Sequence, residues 1–170
     1  DRIAVIVVNY NTVDLAIQAV ESVLAHSHGA REVIVHLVDN ASPGGDAVAM
    51  SEAHATRRWE AAVTLWLETE NHGFGRGNNV VLKALAAQAD PPDKVFLLNP
   101  DARLENEAID ILAAALDASP QTAAVGASIL RPDLTSTTAA FRFPGPANEV
   151  ARRVNLGLID RLLRKRLVAL

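Results

Sequence analysis

At 170 residues, 49% hydrophobic and 21% charged, the chain is long enough to bury roughly two-thirds of its unfolded surface in one globular domain. It has no cysteine, which excludes disulfides and thiolate metal sites and suits a reducing compartment. The net charge of -4 is unevenly divided: residues 1–149 carry 10 Lys/Arg against 19 Asp/Glu, which argues against a nucleic-acid surface, while residues 150–170 carry six basic residues against Asp160 alone.

The chain opens at Asp1 rather than Met, and the expectation is a start trimmed from a longer natural one. The run Ile3–Val8 is apolar and mostly β-branched, the pattern of a strand covered on both faces. It is too short for a membrane span, and no basic segment precedes it as in a signal peptide. Leu15, Ala19, Val20, Val23 and Leu24 then recur at helical spacing, with Thr12 as the N-cap.

Val33–Val38 reads as a second strand ending at Asp39, residues 46–58 as a weak helix, and Val63–Leu67 as a third strand. A glycine-rich turn, NHGFGRGNN, leads into a helix whose buried face includes Val81, Ala84 and Leu85. Residues 94–98 form a fourth strand, followed by Asn99, Pro100 and Asp101. Ile109, Leu112, Ala113 and Leu116 then make the stripe of another helix, and Ala123–Leu130 a further strand. This alternation predicts a mostly parallel central sheet with helical crossovers. From Arg131 to Asn148 proline, glycine and threonine indicate an irregular excursion.

The polar signals fall at strand ends, where open α/β sheets bind ligands. They are Asn9-Tyr10-Asn11 after the first strand, Asp39-Asn40-Ala41-Ser42 after the second, Glu70 to Asn79 after the third, and Asn99-Pro100-Asp101 after the fourth. Asp39 fits either an Asx-type turn or a carboxylate accepting from a base N–H or a ribose hydroxyl. Gly73, Gly75 and Gly77 fit either a flexible turn or a close backbone approach to phosphate at a helix start. A dinucleotide fingerprint belongs after the first strand, where this chain has a glycine-free segment. The five histidines have no metal-ligand spacing, and His72 stands out only for its place in the glycine-rich segment.

Together VVNYN, VDNAS, ENHGFGRGNN and LLNPDA, in this order, resemble family 2 glycosyltransferases of the GT-A fold, and most closely their rhamnosyltransferase-like subgroup. The resemblance covers Ile3 to about Leu130. It implies an α/β, Rossmann-like sandwich and a site for a nucleotide diphosphate sugar. By this likeness Asn9, Tyr10 and Asn11 would border the nucleoside and Asp39 would hold the base. Asn71, Gly73, Phe74, Gly75 and Asn78 would shape the pocket around base, ribose and diphosphate. Asp101 matches the last carboxylate of the family's DxD motif, which holds Mg2+ or Mn2+ against the diphosphate. Asn99 stands where many relatives carry the first Asp and brings no charge, so metal affinity is expected to depend on bound nucleotide.

The implied activity is an inverting transfer of a sugar, a rhamnose-like one on the subgroup likeness, from a dTDP- or UDP-linked donor to a saccharide or lipid-linked acceptor. That points to bacterial envelope or polysaccharide assembly. The family's catalytic base lies in a downstream acidic motif that this chain does not match. Asp133, Glu149 and Asp160 are the only later acids, and none has a fitting context.

The expected organisation is a nucleotide-sugar-binding core at 1–130, an irregular excursion at 131–150 and a basic amphipathic helix at 151–170. The base is expected downstream of residue 170. In that last segment Leu156, Ile159, Leu162, Leu163 and Leu167 share one side of a helical wheel, opposite Arg161, Arg164 and Lys165. It fits either packing against protein or peripheral contact with an anionic membrane, at the cytoplasmic face. A nucleotidyltransferase would carry a glycine-rich basic loop after the first strand, and this chain lacks it. A non-catalytic nucleotide-sugar-binding or scaffolding module with the same fold remains the other expectation.

Overall fold

The computed structural model describes residues 1–137, apart from Ala30, Pro132 and Leu134. The expected helix at 151–170 and most of the 131–150 excursion lie outside the described residues. The first compact unit is Asp1–Val125. Its elements are β1 (Arg2–Asn9), α1 (Val13–Ala25), β2 (Glu32–Asp39), α2 (Asp46–Thr56), β3 (Val63–Leu67), α3 (Gly73–Ala86), β4 (Lys94–Leu98) and α4 (Ala108–Asp117).

The four strands form one parallel sheet in the order β3-β2-β1-β4. β1 is central, and every residue from Ile3 to Asn9 is buried, as its unbroken apolar run requires. Its side chains alternate between two cores. Ile3, Val5 and Val7 pack with Ala16, Ala19, Val20 and Val23 of α1, Met50 of α2, and Ile109 and Ala113 of α4. Ala4, Ile6 and Val8 meet Val81 and Leu85 of α3 on the other face.

Three helices thus cover one face and α3 the other. Val95 and Leu97 of β4 pair with Ala4 and Ile6, share the α3 face and stay substantially exposed. At the N-terminal ends of the strands, Arg31 bonds Asp1, Asp110 and Asp117, and Lys94 bonds Asp1 and Asp117, joining the starts of β2, β1 and β4 to α4. The hydrogen bond from Lys94, then that from Arg31, holds the Asp117 carboxyl below its ordinary range.

Two expectations change, and the N-cap of α1 holds in position. The glycine-rich segment is no turn: α3 begins at Gly73 and includes all three glycines. Gly75 and Gly77 each cost about 1 kcal/mol of helix propensity, whereas burying Val81 and Leu85 stabilises by about 1.5–3 kcal/mol each, so packing overrides local preference. Of Ala123–Leu130, only Ile129–Leu130 forms a strand, β5, paired antiparallel with β6 (Ser136–Thr137). Alanine, glycine and serine offer a ladder little side chain to pack. Thr12 occupies the N-cap position of α1 and accepts Ala16 N through its carbonyl, but its hydroxyl is turned elsewhere.

Candidate functional site

β1 and β2 end level, because Asn9 pairs with Asp39 in the ladder. Two further backbone bonds extend this edge, Asn40 N to Asn9 O at 2.9 Å and Glu68 N to Asp39 O at 2.9 Å. Three strand tips are thereby fixed at one pole before any side chain acts.

Asn9 is fully buried, and its amide is saturated. Nδ2 donates to Asp46 Oδ2 at 2.8 Å, Asp39 Oδ1 at 3.1 Å and Ser42 Oγ at 3.3 Å. Oδ1 accepts from Thr12 N at 3.1 Å and Thr12 Oγ1 at 2.9 Å, which is where the Thr12 hydroxyl goes. The orientation of the amide follows from chemistry, since a flip would set its oxygen against two carboxylates. Asp39, only 2% exposed, also accepts Ser42 N on Oδ2 at 3.2 Å. Ser42 Oγ in turn accepts Asn11 N at 3.0 Å.

A second knot ties β2 to the start of α3. Asn40 is buried and donates from Nδ2 to Asn71 Oδ1 at 2.9 Å, while its Oδ1 accepts His72 N at 3.0 Å. Asn71 Oδ1 also accepts Gly73 N at 2.8 Å, so one side chain satisfies the first free N–H of α3. Gly73 has φ +69°, which glycine adopts without strain. Gly77 lets α3 approach the sheet: a Cβ there would lie 3.0 Å from Val8 Cγ1. His72 Nε2 lies 3.1 Å from Glu68 Oε2.

Beyond β4, Ala102 N bonds Asn99 O at 3.1 Å and closes a turn that leaves Asn99 and Asp101 exposed. The last β1–β4 pair is Val7 with Leu98, so this turn follows β4 at the same pole. The strand order reverses between β1 and β4, the place where ligands enter open α/β sheets. At strand spacings of about 4.8 Å, the tips of β2 and β4 stand roughly 10 Å apart.

The residues expected from sequence therefore gather at one pole in two classes. Tyr10, Asn11, Asn71, Gly73, Phe74, Gly75, Asn99 and Asp101 are exposed there. Asn9, Asp39 and Asn78 are buried. Asn9 has no polar atom to spare and serves as framework. Asn78 lies inside α3, donating from Nδ2 to Phe74 O at 2.9 Å, while its Oδ1 finds no partner among the described residues.

Asp46 and the side chain of Asn40 were missed from sequence. The only signal was a short run of polar residues after β2. Asp133 is exposed, and bonds from the hydroxyl and N–H of Thr135 hold its carboxyl below the ordinary range, which makes it a poor base.

Among the described residues no three His, Cys, Asp or Glu side chains form a metal cluster. The donor set at β4 is one exposed carboxylate, Asp101, beside the amide of Asn99. That set fits a hard cation that draws its other ligands from phosphate and water. Among the described residues no helix is long and apolar enough to cross a membrane.

Residues 4–158 match the model of glycosyl transferase family 2. The chain belongs to that family. Among solved structures, this family 2 chain is similar to the mannosyltransferase PcManGT from Pyrobaculum calidifontis in complex with GDP-Man and Mn2+. The identity is 25% and the TM-score 0.61, over 78% of this chain and 36% of that one. S. aureus TarS 1-349 in complex with UDP-GlcNAc, at 23% identity and TM-score 0.55, is alike in fold over 69% of this chain and 32% of that one.

No curated protein sequence matches. The family 2 chain thus spans about a third of the length of these solved proteins. Its α/β fold with a parallel sheet is the GT-A fold.

Proposed function

We propose that this chain binds the nucleotide diphosphate sugar donor of an inverting glycosyltransferase. The observation that carries this is the meeting of Asp39, the start of α3 and Asp101 at one pole, on both sides of the β1–β4 switch point. Asp39, held by Asn9 and Ser42, keeps lone pairs for a base N–H. Exposed Tyr10 and Phe74 offer aromatic faces to the base and ribose. The start of α3, with open space at Gly73 and Gly75 and no acidic residue in its first turn, favours the diphosphate.

Asp101, with Asn99 beside it, would hold Mg2+ or Mn2+. When bound, that ion supplies Lewis-acid neutralisation of the departing diphosphate. The remaining work falls to the protein: fixing the base at Asp39, laying the diphosphate along α3 and leaving the anomeric carbon open on the opposite face. There the acceptor hydroxyl attacks, its proton passing to a base outside the described residues, as the bond to the diphosphate oxygen breaks.

Subgroup resemblance favours a rhamnose-like sugar on dTDP or UDP, moved to a saccharide or lipid-linked acceptor in bacterial envelope polysaccharide assembly. The core at 1–130 would bind the donor, and residues 151–170 would meet the cytoplasmic face of a membrane. Vesicle co-sedimentation with and without those residues tests the last point. Asn99 in place of a carboxylate favours a second reading, a non-catalytic nucleotide-sugar-binding module; product formation from donor and acceptor separates the two.

The donor reading is tested by thermal shift with UDP, dTDP and GDP, each with and without Mn2+. At least one nucleotide should raise the midpoint, and more so with metal. No shift with any of the three overturns it.

A further inference from the structure

We infer that Asp46 is a positioning residue for nucleobase selection, acting through Asn9 on Asp39; this rests on the donor-binding reading above. Asp46 is the first residue of α2, where an acid has an ordinary role beside the free N–H groups of a helix start. That role needs only an exposed carboxylate. Asp46 is instead 7% exposed, and its Oδ2 makes the shortest of the three contacts to Asn9 Nδ2, 2.8 Å. No Lys or Arg forms an ion pair with it among the described residues. Burying a carboxylate without a cation is costly, and the Asn9 amide is what offsets that cost.

The amide has two hydrogens and three acceptors around them. One hydrogen is committed to Asp46, which turns the other toward Asp39 and leaves Ser42 the longest contact. Asp39 then presents its carboxylate in a single aim, with Ser42 N on its second oxygen. Without Asp46 the amide is free to rock between Asp39 and Ser42, and Asp39 loses a fixed partner.

A fixed carboxylate is a selective acceptor. Uracil, thymine and guanine carry a ring N–H on their pairing edge, which it can accept. Cytosine and adenine have a bare ring nitrogen there, whose lone pair faces the carboxylate, and beside it an exocyclic amine. A rigid Asp39 is repelled by that ring nitrogen, whereas a swivelling one can turn to the amine and bind either kind. Asp46 therefore sets the preference for ring N–H bases rather than affinity as such.

The experiment is calorimetry on the full chain with two matched pairs, UDP against CDP and GDP against ADP. Wild type should prefer the ring N–H base by about tenfold or more in at least one pair. Asp46→Ala should bring that ratio to within about threefold, mainly by strengthening binding of the disfavoured nucleotide. Asp46→Asn, whose Oδ1 still accepts from Asn9, should keep most of the preference. If Asp46→Ala does not fold, Asp46→Ser replaces it, because its hydroxyl remains at the helix start but falls short of Asn9.

A uniform loss for all nucleotides with the ratio unchanged shows a merely structural Asp46 and overturns the inference alone. Loss of the preference in Asp46→Asn also overturns it, since charge rather than the bond would then matter. A wild type without preference in either pair overturns base recognition by Asp39 and this inference with it.

Discussion

Asn9 donates to Asp39 at 3.1 Å across the ends of β1 and β2, with both side chains buried and paired in the ladder. The bond gives one of two buried carboxylates a side-chain donor. Asn9→Ala would leave Asp46 and the Thr12 hydroxyl without their partner and Asp39 with Ser42 N alone. The expected loss is about 2–3 kcal/mol of stability, read from urea denaturation. Asn9→Asp should be worse, because it adds a third acid at the same point. An Asn9→Ala protein as stable as wild type would contradict the network.

Gly75 and Gly77 lie two residues apart in α3 and should respond oppositely to alanine. A Cβ at Gly75 meets nothing within 4 Å, so Gly75→Ala should gain about 0.5–1 kcal/mol from helix propensity. At Gly77 the same methyl presses on Val8 Cγ1 at 3.0 Å, and overpacking of about 1–3 kcal/mol outweighs that gain. Chemical denaturation of the two variants checks the signs.

Asp101→Ala should remove the metal dependence of nucleotide binding while leaving the fold intact, since Asp101 is exposed. In calorimetry with the nucleotide that shifts wild type most, Mn2+ should tighten binding to wild type and not to the variant. Unchanged affinity with and without metal would end the metal role.

His36 is buried beside Trp66, whose Nε1 donates to His36 Nδ1 at 3.2 Å, so the folded state holds the neutral ring. Burial lowers its pKa below the ordinary 6.5. As pH falls through 6.5 the unfolded chain takes up the proton first. The contribution of His36 to stability is therefore full above that value and is lost as pH falls through the lower folded pKa. Denaturation midpoints taken from about pH 7.5 to about pH 5 should fall more steeply in wild type than in His36→Gln.

Much of this protein is determined by its sequence alone. β-branched runs such as Ile3–Val8 admit no other use than a strand buried on both faces, and the observed β3 and β4 coincide with Val63–Leu67 and residues 94–98. The order of polar residues after those runs places the candidate site at strand ends, because a parallel sheet sends all its C-terminal tips to one side.

Tertiary structure decided the rest, because it depends on which groups lose water. Asn9 and Tyr10 are neighbours in sequence, yet the last residue of β1 buries its amide among two carboxylates while the next, past the strand end, leaves its ring 45% exposed. Asp46 gives no local sign of its inward turn, since an acid at a helix start usually faces solvent. Glycines at 73, 75 and 77 read locally as a loop and became helix only because Val81 and Leu85 had a sheet to pack against. Local pattern carries the backbone path, while burial, which is a property of the whole fold, determines which polar side chains lose water and must find partners inside the protein.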